Sequence, residues 1–127
     1  MRGVLSTMHP ERGVDAVPVV FALDESGRLA IPIDLVKPKA PGLLRRELNL
    51  RADPRAALLV DHWDRDDWSQ LWWVRVQLRY EITVGPDRWE DLATRLAMRY
   101  PQYSEEPFAR LLVLRIVALT GWAASAN

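Results

Sequence analysis

The chain has 127 residues, 49% of them hydrophobic and 27% charged, with seventeen basic side chains against seventeen acidic ones and no cysteine. That length suits a single domain with one core, and zero net charge gives no overall footprint for nucleic acid or an anionic membrane, so any anion site must be local. The lack of cysteine excludes disulfides, thiolate nucleophiles, iron–sulfur clusters and cysteine-bound zinc.

The N-terminus has no basic region followed by an apolar run and cleavage site, which predicts a cytoplasmic protein with no membrane association. Residues 3–7 read as a short strand, and the Pro and Gly of residues 9–13 predict a turn into a second apolar run, residues 14–23, making a hairpin. Pro18 inside that return leg cannot donate to a ladder, so it predicts an edge strand or a bulge. Residues 24–27 (DESG) turn the chain into a third strand, residues 28–33. Leucines at 43, 44, 48 and 50 among arginines have helical spacing, predicting a short amphipathic helix over residues 42–50. Residues 56–62 form a buried strand by length and apolar content, and residues 64–69 a charged loop. Residues 71–80 then alternate Trp73, Arg75, Gln77 and Arg79 against Trp72, Val74, Val76 and Leu78, so one face packs and the other is polar. Trp89, Leu92, Leu96 and Tyr100, following Gly85 and Pro86, predict a second helix over residues 87–100. Residues 111–119 are the last strand, after which Thr120, Gly121 and Trp122 lead into a small-residue tail. About six antiparallel strands with two or three short helices predict a mainly β protein, a β-barrel closed by meanders.

No side-chain set announces catalysis. His9 and His62 lie in a turn and at a strand end with no metal-ligand spacing, and Asp61 and Asp64 beside His62 read as a solvated strand end. Adjacent carboxylates such as Asp66 and Asp67 diverge, and no serine stands in a GxSxG context. What stands out is local basic density in a chain of zero net charge, with Lys37, Lys39, Arg45, Arg46, Arg51 and Arg55 all between residues 37 and 55. Lys37 and Lys39 flank Pro38 directly before a helix, a setting that favours an anion such as phosphate. Arg45, Arg46 and Arg51 either join that site or only solubilise the helix.

Residues 28–39 (RLAIPIDLVKPK), 43–48 (LLRREL), 53–63 (DPRAALLVDHW) and 71–76 (LWWVRV) together resemble the flavin/deazaflavin oxidoreductase family. More narrowly, they are similar to the actinobacterial subgroup of pyridoxamine 5'-phosphate oxidase-like split β-barrels assigned to the deazaflavin coenzyme F-420. Residues 17–23 (VPVVFAL), 99–103 (RYPQY) and 120–122 (TGW) extend the likeness over nearly the whole chain. The resemblance implies a single split-barrel domain and a homodimer with two cofactor sites at its interface, binding F-420 or alternatively FMN and acting on a small-molecule substrate. The phosphate positions are best matched by Lys37 and Lys39, with Arg45 and Arg46 beside them. The ring is expected along the backbone near Pro18, Val19, Val20 and Phe21 and near Ile31, Pro32 and Ile33. Because such a coenzyme brings its own hydride chemistry, a missing catalytic side chain is no objection. Residues 29–79 are thus read as the cofactor-gripping half. A non-catalytic barrel holding a flavin or a tetrapyrrole is the rival of another class.

Two departures from the family pattern are visible. The resemblance leads to the expectation of a helix ahead of the strand that begins at Gly3, and Gln77-Leu78 stands where a glycine is common, a side chain expected to alter packing or crowd the site. Finally, Trp72 and Trp73 must point to opposite faces of their strand, so one of them leaves the barrel interior, and a dimer interface is its expected home.

Overall fold

The computed structural model describes residues 2–33, 44–101 and 110–125. The chain builds β1 (Arg2–His9), β2 (Gly13–Val20), β3 (Ala22–Leu23), β4 (Arg28–Ile33), α1 (Arg45–Ala52), β5 (Arg55–His62), a 3-10 turn (Trp68–Gln70), β6 (Trp72–Tyr80), α2 (Pro86–Arg99) and β7 (Arg110–Ala123). The seven strands form one antiparallel sheet in the order β2-β1-β5-β6-β7-β4-β3, curled around a core. A barrel of the expected class is present, with one strand more than the sequence suggested.

Alternation decides which side chains enter the core. Leu5 on β1, Leu58 on β5, Val76 and Leu78 on β6, Leu112 and Leu114 on β7 and Leu29 and Ile31 on β4 all point inward and are almost fully buried. Each such aliphatic side chain contributes about 1.5–3 kcal/mol of transfer free energy. Gly3 shows how closely β1 and β5 approach, since a Cβ there would sit 2.9 Å from Leu58 Cδ1 and 3.0 Å from the Leu59 carbonyl oxygen. The β1–β2 hairpin closes through Gly13, at φ +94°, a value that favours glycine. In the same turn the His9 Nδ1 accepts from the Glu11 and Arg12 N–H groups at 3.1 and 3.2 Å, so this histidine organises a turn. Pro18 lies, as its missing N–H requires, on an edge strand, opposite Val4.

Two element boundaries differ from expectation, each for a reason remote in sequence. The leg expected over residues 14–23 breaks at Phe21 into β2 and β3. The Tyr100 hydroxyl donates to the Phe21 carbonyl oxygen at 3.0 Å and accepts from its N–H at 3.4 Å, which takes this residue out of the ladder. β3 consequently pairs with β4. The last strand runs to Ala123, beyond the expected end at residue 119, because Trp122 and Ala123 lie opposite Trp73 and Trp72 at the start of β6. The first helix, expected over residues 42–50, is described from Arg45 to Ala52, residues 42 and 43 lying outside the described residues; its buried residues are Glu47, Asn49 and Leu50, with Leu48 exposed.

α2 lies on a second, smaller cluster formed by Ala22, Ala30, Leu92, Leu96, Tyr100 and Val113. Gly85 and Pro86 start it, Asp87 in its first turn and Arg99 in its last suit the helix dipole, and Pro101 follows its end. Trp72 and Trp73 separate as expected: Trp72 packs against the barrel core, and Trp73 lies on the outer face with the Arg75 guanidinium 5.4 Å from its ring centroid. No helix among the described residues is long and apolar enough to cross a membrane.

Candidate cofactor seam

Among the described residues the barrel fails to close at one place. β2 pairs only with β1, and β4, although paired with β7 along its length, pairs with β3 only at Leu29 and Ala30. Residues 17–20 and 31–33 therefore form the two lips of a seam with no ladder across it. Side chains from both lips, Val17 and Val19 on one and Ile31 and Ile33 on the other, pack into the same core. Their outer backbone edges are left for another partner, since an unpaired strand edge presents donors and acceptors that must be satisfied elsewhere. Pro18 and Pro32 each lack an N–H, so the seam offers acceptors at those positions without competing donors.

The sequence-derived site residues distribute as follows. Pro18 is exposed, Val20 half-buried, and Val19, Phe21, Ile31, Pro32 and Ile33 are buried. The seam brings these positions together, with one subtraction. Phe21 has both backbone groups committed to Tyr100, so it offers neither to a ring. Lys37 and Lys39 lie outside the described residues. Arg45 is exposed at the first position of α1, and Arg46 is half-buried.

α1 closes the barrel end through two polar contacts. The Arg110 Nε and Nη2 donate to the Glu47 carboxylate at 2.7 and 2.8 Å, and the Leu44 N–H donates to it at 2.9 Å. Burial alone would raise the Glu47 carboxyl; the Arg110 and Leu44 hydrogen bonds, with the charges of Arg110 and Arg46, outweigh it and hold the group below the ordinary carboxylate range. On the other side, the Asn49 Nδ2 donates to Asp15 Oδ2 at 2.8 Å and to Thr7 Oγ1 at 3.0 Å. The Arg12 guanidinium and then Asn49 hold the Asp15 carboxyl below its usual range. Burial pushes the phenol of Tyr80, the last residue of β6, up, against the opposing charges of Arg51 and Arg110. Arg55 is removed from the basic set by Asp53, which it contacts at 2.7 Å and whose carboxyl it holds at about 2.

Leu78 does not protrude from the barrel. It is buried in the interior beside a register shift at Gln77/Leu78, where Leu78 faces Ile116 and Gln77 faces Ala118, so Val117 is the extra residue of a bulge. Sequence reading missed Glu47, Asn49 and Arg110, whose contacts join residues 34 to 63 positions apart. Tyr100 was visible as an apolar helix position and within the 99–103 run, but not as a partner of Phe21.

No family model matches the sequence, and no curated protein matches it. Solved structures do. The conserved hypothetical protein Rv2991 from Mycobacterium tuberculosis superposes with a TM-score of 0.72 at 22% identity, over 97% of this chain and 77% of that one. An FMN-binding protein from Syntrophomonas wolfei subsp. wolfei gives 0.69 at 17% identity, over 94% and 75% of the two chains. An F420 reductase gives 0.59 at 22% identity, over 94% and 89%. At these identities the likeness establishes the fold alone, a split β-barrel.

Proposed function

We propose that this protein is an oxidoreductase that binds the deazaflavin F-420 along the seam between β2 and β4 and passes hydride between it and a small unsaturated or quinone-like substrate. The observation that carries this reading is the seam itself: two strand edges with no ladder between them among the described residues, beside α1, whose Glu47 holds Arg110, the residue opposite Ile33. The shared fold with an F420 reductase and an FMN-binding protein supports a flavin-type coenzyme.

The residues fit such a group in part. The edges of residues 17–20 and 31–33 that face away from β1 and β7 could orient a flat ring, while Phe21 could not. Lys37 and Lys39 would hold the phosphate, with Arg45 at the helix start adding charge and Arg46 contributing less because its charge already acts on Glu47. When bound, the coenzyme supplies the hydride; the protein's own contribution is orientation and exclusion of water from the seam.

A second copy of the chain is the proposed partner. The outer face of β2, β1 and β5 exposes Val14, Val4 and Leu59, around a trough of ≈ 330 Å³ lined by Ser6, Met8, Val14 and Ala57 among others. A face of small and apolar side chains rimmed by Arg55 is a surface suited to burial against a like surface.

FMN in place of F-420 is the second reading, favoured by the FMN-binding neighbour. Steady-state turnover tests the proposal. Purified protein with reduced F-420, or separately with FMN and a reductant, is offered a panel of quinones and conjugated enones. Acceptor-dependent oxidation of one coenzyme is the expected result. Tight coenzyme binding without turnover on any acceptor would instead make this a non-catalytic barrel holding a flavin or a tetrapyrrole.

A further inference from the structure

We propose that the groove between β3 and α2 is a binding site for a small organic carboxylate with an apolar body, anchored by Arg99. The groove has a volume of ≈ 470 Å³, within the range of small-molecule sites. β3 forms one wall as the last strand of the sheet, so no further strand covers it among the described residues.

Two guanidiniums line the groove, and they are not equivalent. Arg95 is neutralised, with Asp91 at 2.9 Å and Glu25 at 4.0 Å. Arg99 has no carboxylate within ion-pair range among the described residues; its guanidinium carbon lies 5.6 Å from the Phe21 ring centroid and 5.8 Å from that of Tyr100. Those rings attract the cation but bring no counter-charge. A guanidinium carries its N–H donors in a planar fork that the two oxygens of a carboxylate can meet.

The rest of the lining sets the ligand's other end. Leu23 is 44% exposed and Met98 81% exposed, Ala22 forms the floor, and Thr94 supplies a hydroxyl. Asp91 and Glu25 together offset Arg95, which leaves Arg99 as the lining cation with no carboxylate in ion-pair range among the described residues. That favours a monoanion with an aliphatic or aromatic body over a phosphate dianion, which would need a second free cation. The groove does not depend on the seam or on any coenzyme.

The test is an amide NMR titration of the whole chain with hexanoate, with hexanol and inorganic phosphate in parallel. Saturable shifts centred on Leu23, Thr94 and Arg95 are expected with hexanoate. Hexanol and phosphate should each bind roughly tenfold or more weakly. Arg99→Gln should remove the response. Met98→Glu, a change at an exposed side chain that leaves the core untouched, should also remove it by supplying a carboxylate from the chain itself. The proposal is overturned if hexanoate produces no saturable shifts, if phosphate binds at least as tightly, or if either variant titrates like the parent. No coenzyme enters the experiment, so its failure is separate from any failure of the seam reading.

Discussion

Replacing Arg110 with methionine leaves the Glu47 carboxylate buried, its side chain 4% exposed, with only the Leu44 N–H and the charge of Arg46 to offset desolvation. Removing one partner of a fully buried pair costs about 3–5 kcal/mol. Arg110 is itself 41% exposed, so water screens the vacated position and the expected loss is about 2–3 kcal/mol at neutral pH. The pH dependence follows from the direction of the shift. In the parent, Glu47 titrates below its unfolded value of 4.5, so its stabilisation is present above that value and lost as pH falls through the folded pKa. In Arg110→Met the same carboxyl is expected to rise above its unfolded value, so the penalty is smallest in acid, grows as pH rises through that range, and then levels off. Urea unfolding followed by tryptophan fluorescence, near pH 7 and near pH 4, reads both effects. A loss under about 0.5 kcal/mol near pH 7, or a difference from the parent that does not shrink in acid, would refute the reasoning. Glu47→Leu combined with Arg110→Met should recover much of the loss, since an apolar pair leaves no charge stranded.

Tyr100→Phe deletes the hydroxyl that serves both backbone groups of Phe21 and should cost about 1–3 kcal/mol. Hydrogen exchange should speed up at the Phe21 amide more than at Leu5; equal rates before and after the change would show that the hydroxyl does not hold the strand break. Asn49→Asp places a second carboxylate where an amide now donates to Asp15 at 2.8 Å, and should destabilise by about 3 kcal/mol or more near pH 7. That penalty should fall on acidification, as one of the two groups takes up a proton; a pH-independent penalty in urea unfolding would count against the contact.

The parts of the fold legible in the sequence are those written in local periodicity. The alternation of Trp72 to Arg79 specified β6 and its packed face, and Pro18 announced an edge strand. The break at Phe21 was not legible, because the hydroxyl that causes it is 79 residues away. For the same reason the leucine spacing of α1 misdirected the reading of its buried face. Glu47 and Asn49 are tolerated inside only because Arg110, Thr7 and Asp15 arrive from other strands. The extension of β7 through Thr120 and Gly121 depends on register with β6, which composition does not reveal. As to the site, resemblance rather than periodicity pointed to Val19, Ile31 and Ile33. Sheet order places those positions on the two strand edges that no ladder joins among the described residues.

The central claim is that a flavin-type coenzyme occupies that opening with its phosphate on Lys37 and Lys39, and quenching of tryptophan fluorescence on titration with F-420 and, separately, FMN tests it most directly. Saturable quenching by one coenzyme in the micromolar range is predicted, weakened roughly tenfold or more in the Lys37→Ala, Lys39→Ala double variant with its urea midpoint unchanged. No quenching by either coenzyme at tens of micromolar, or undiminished affinity in the double variant, would contradict it.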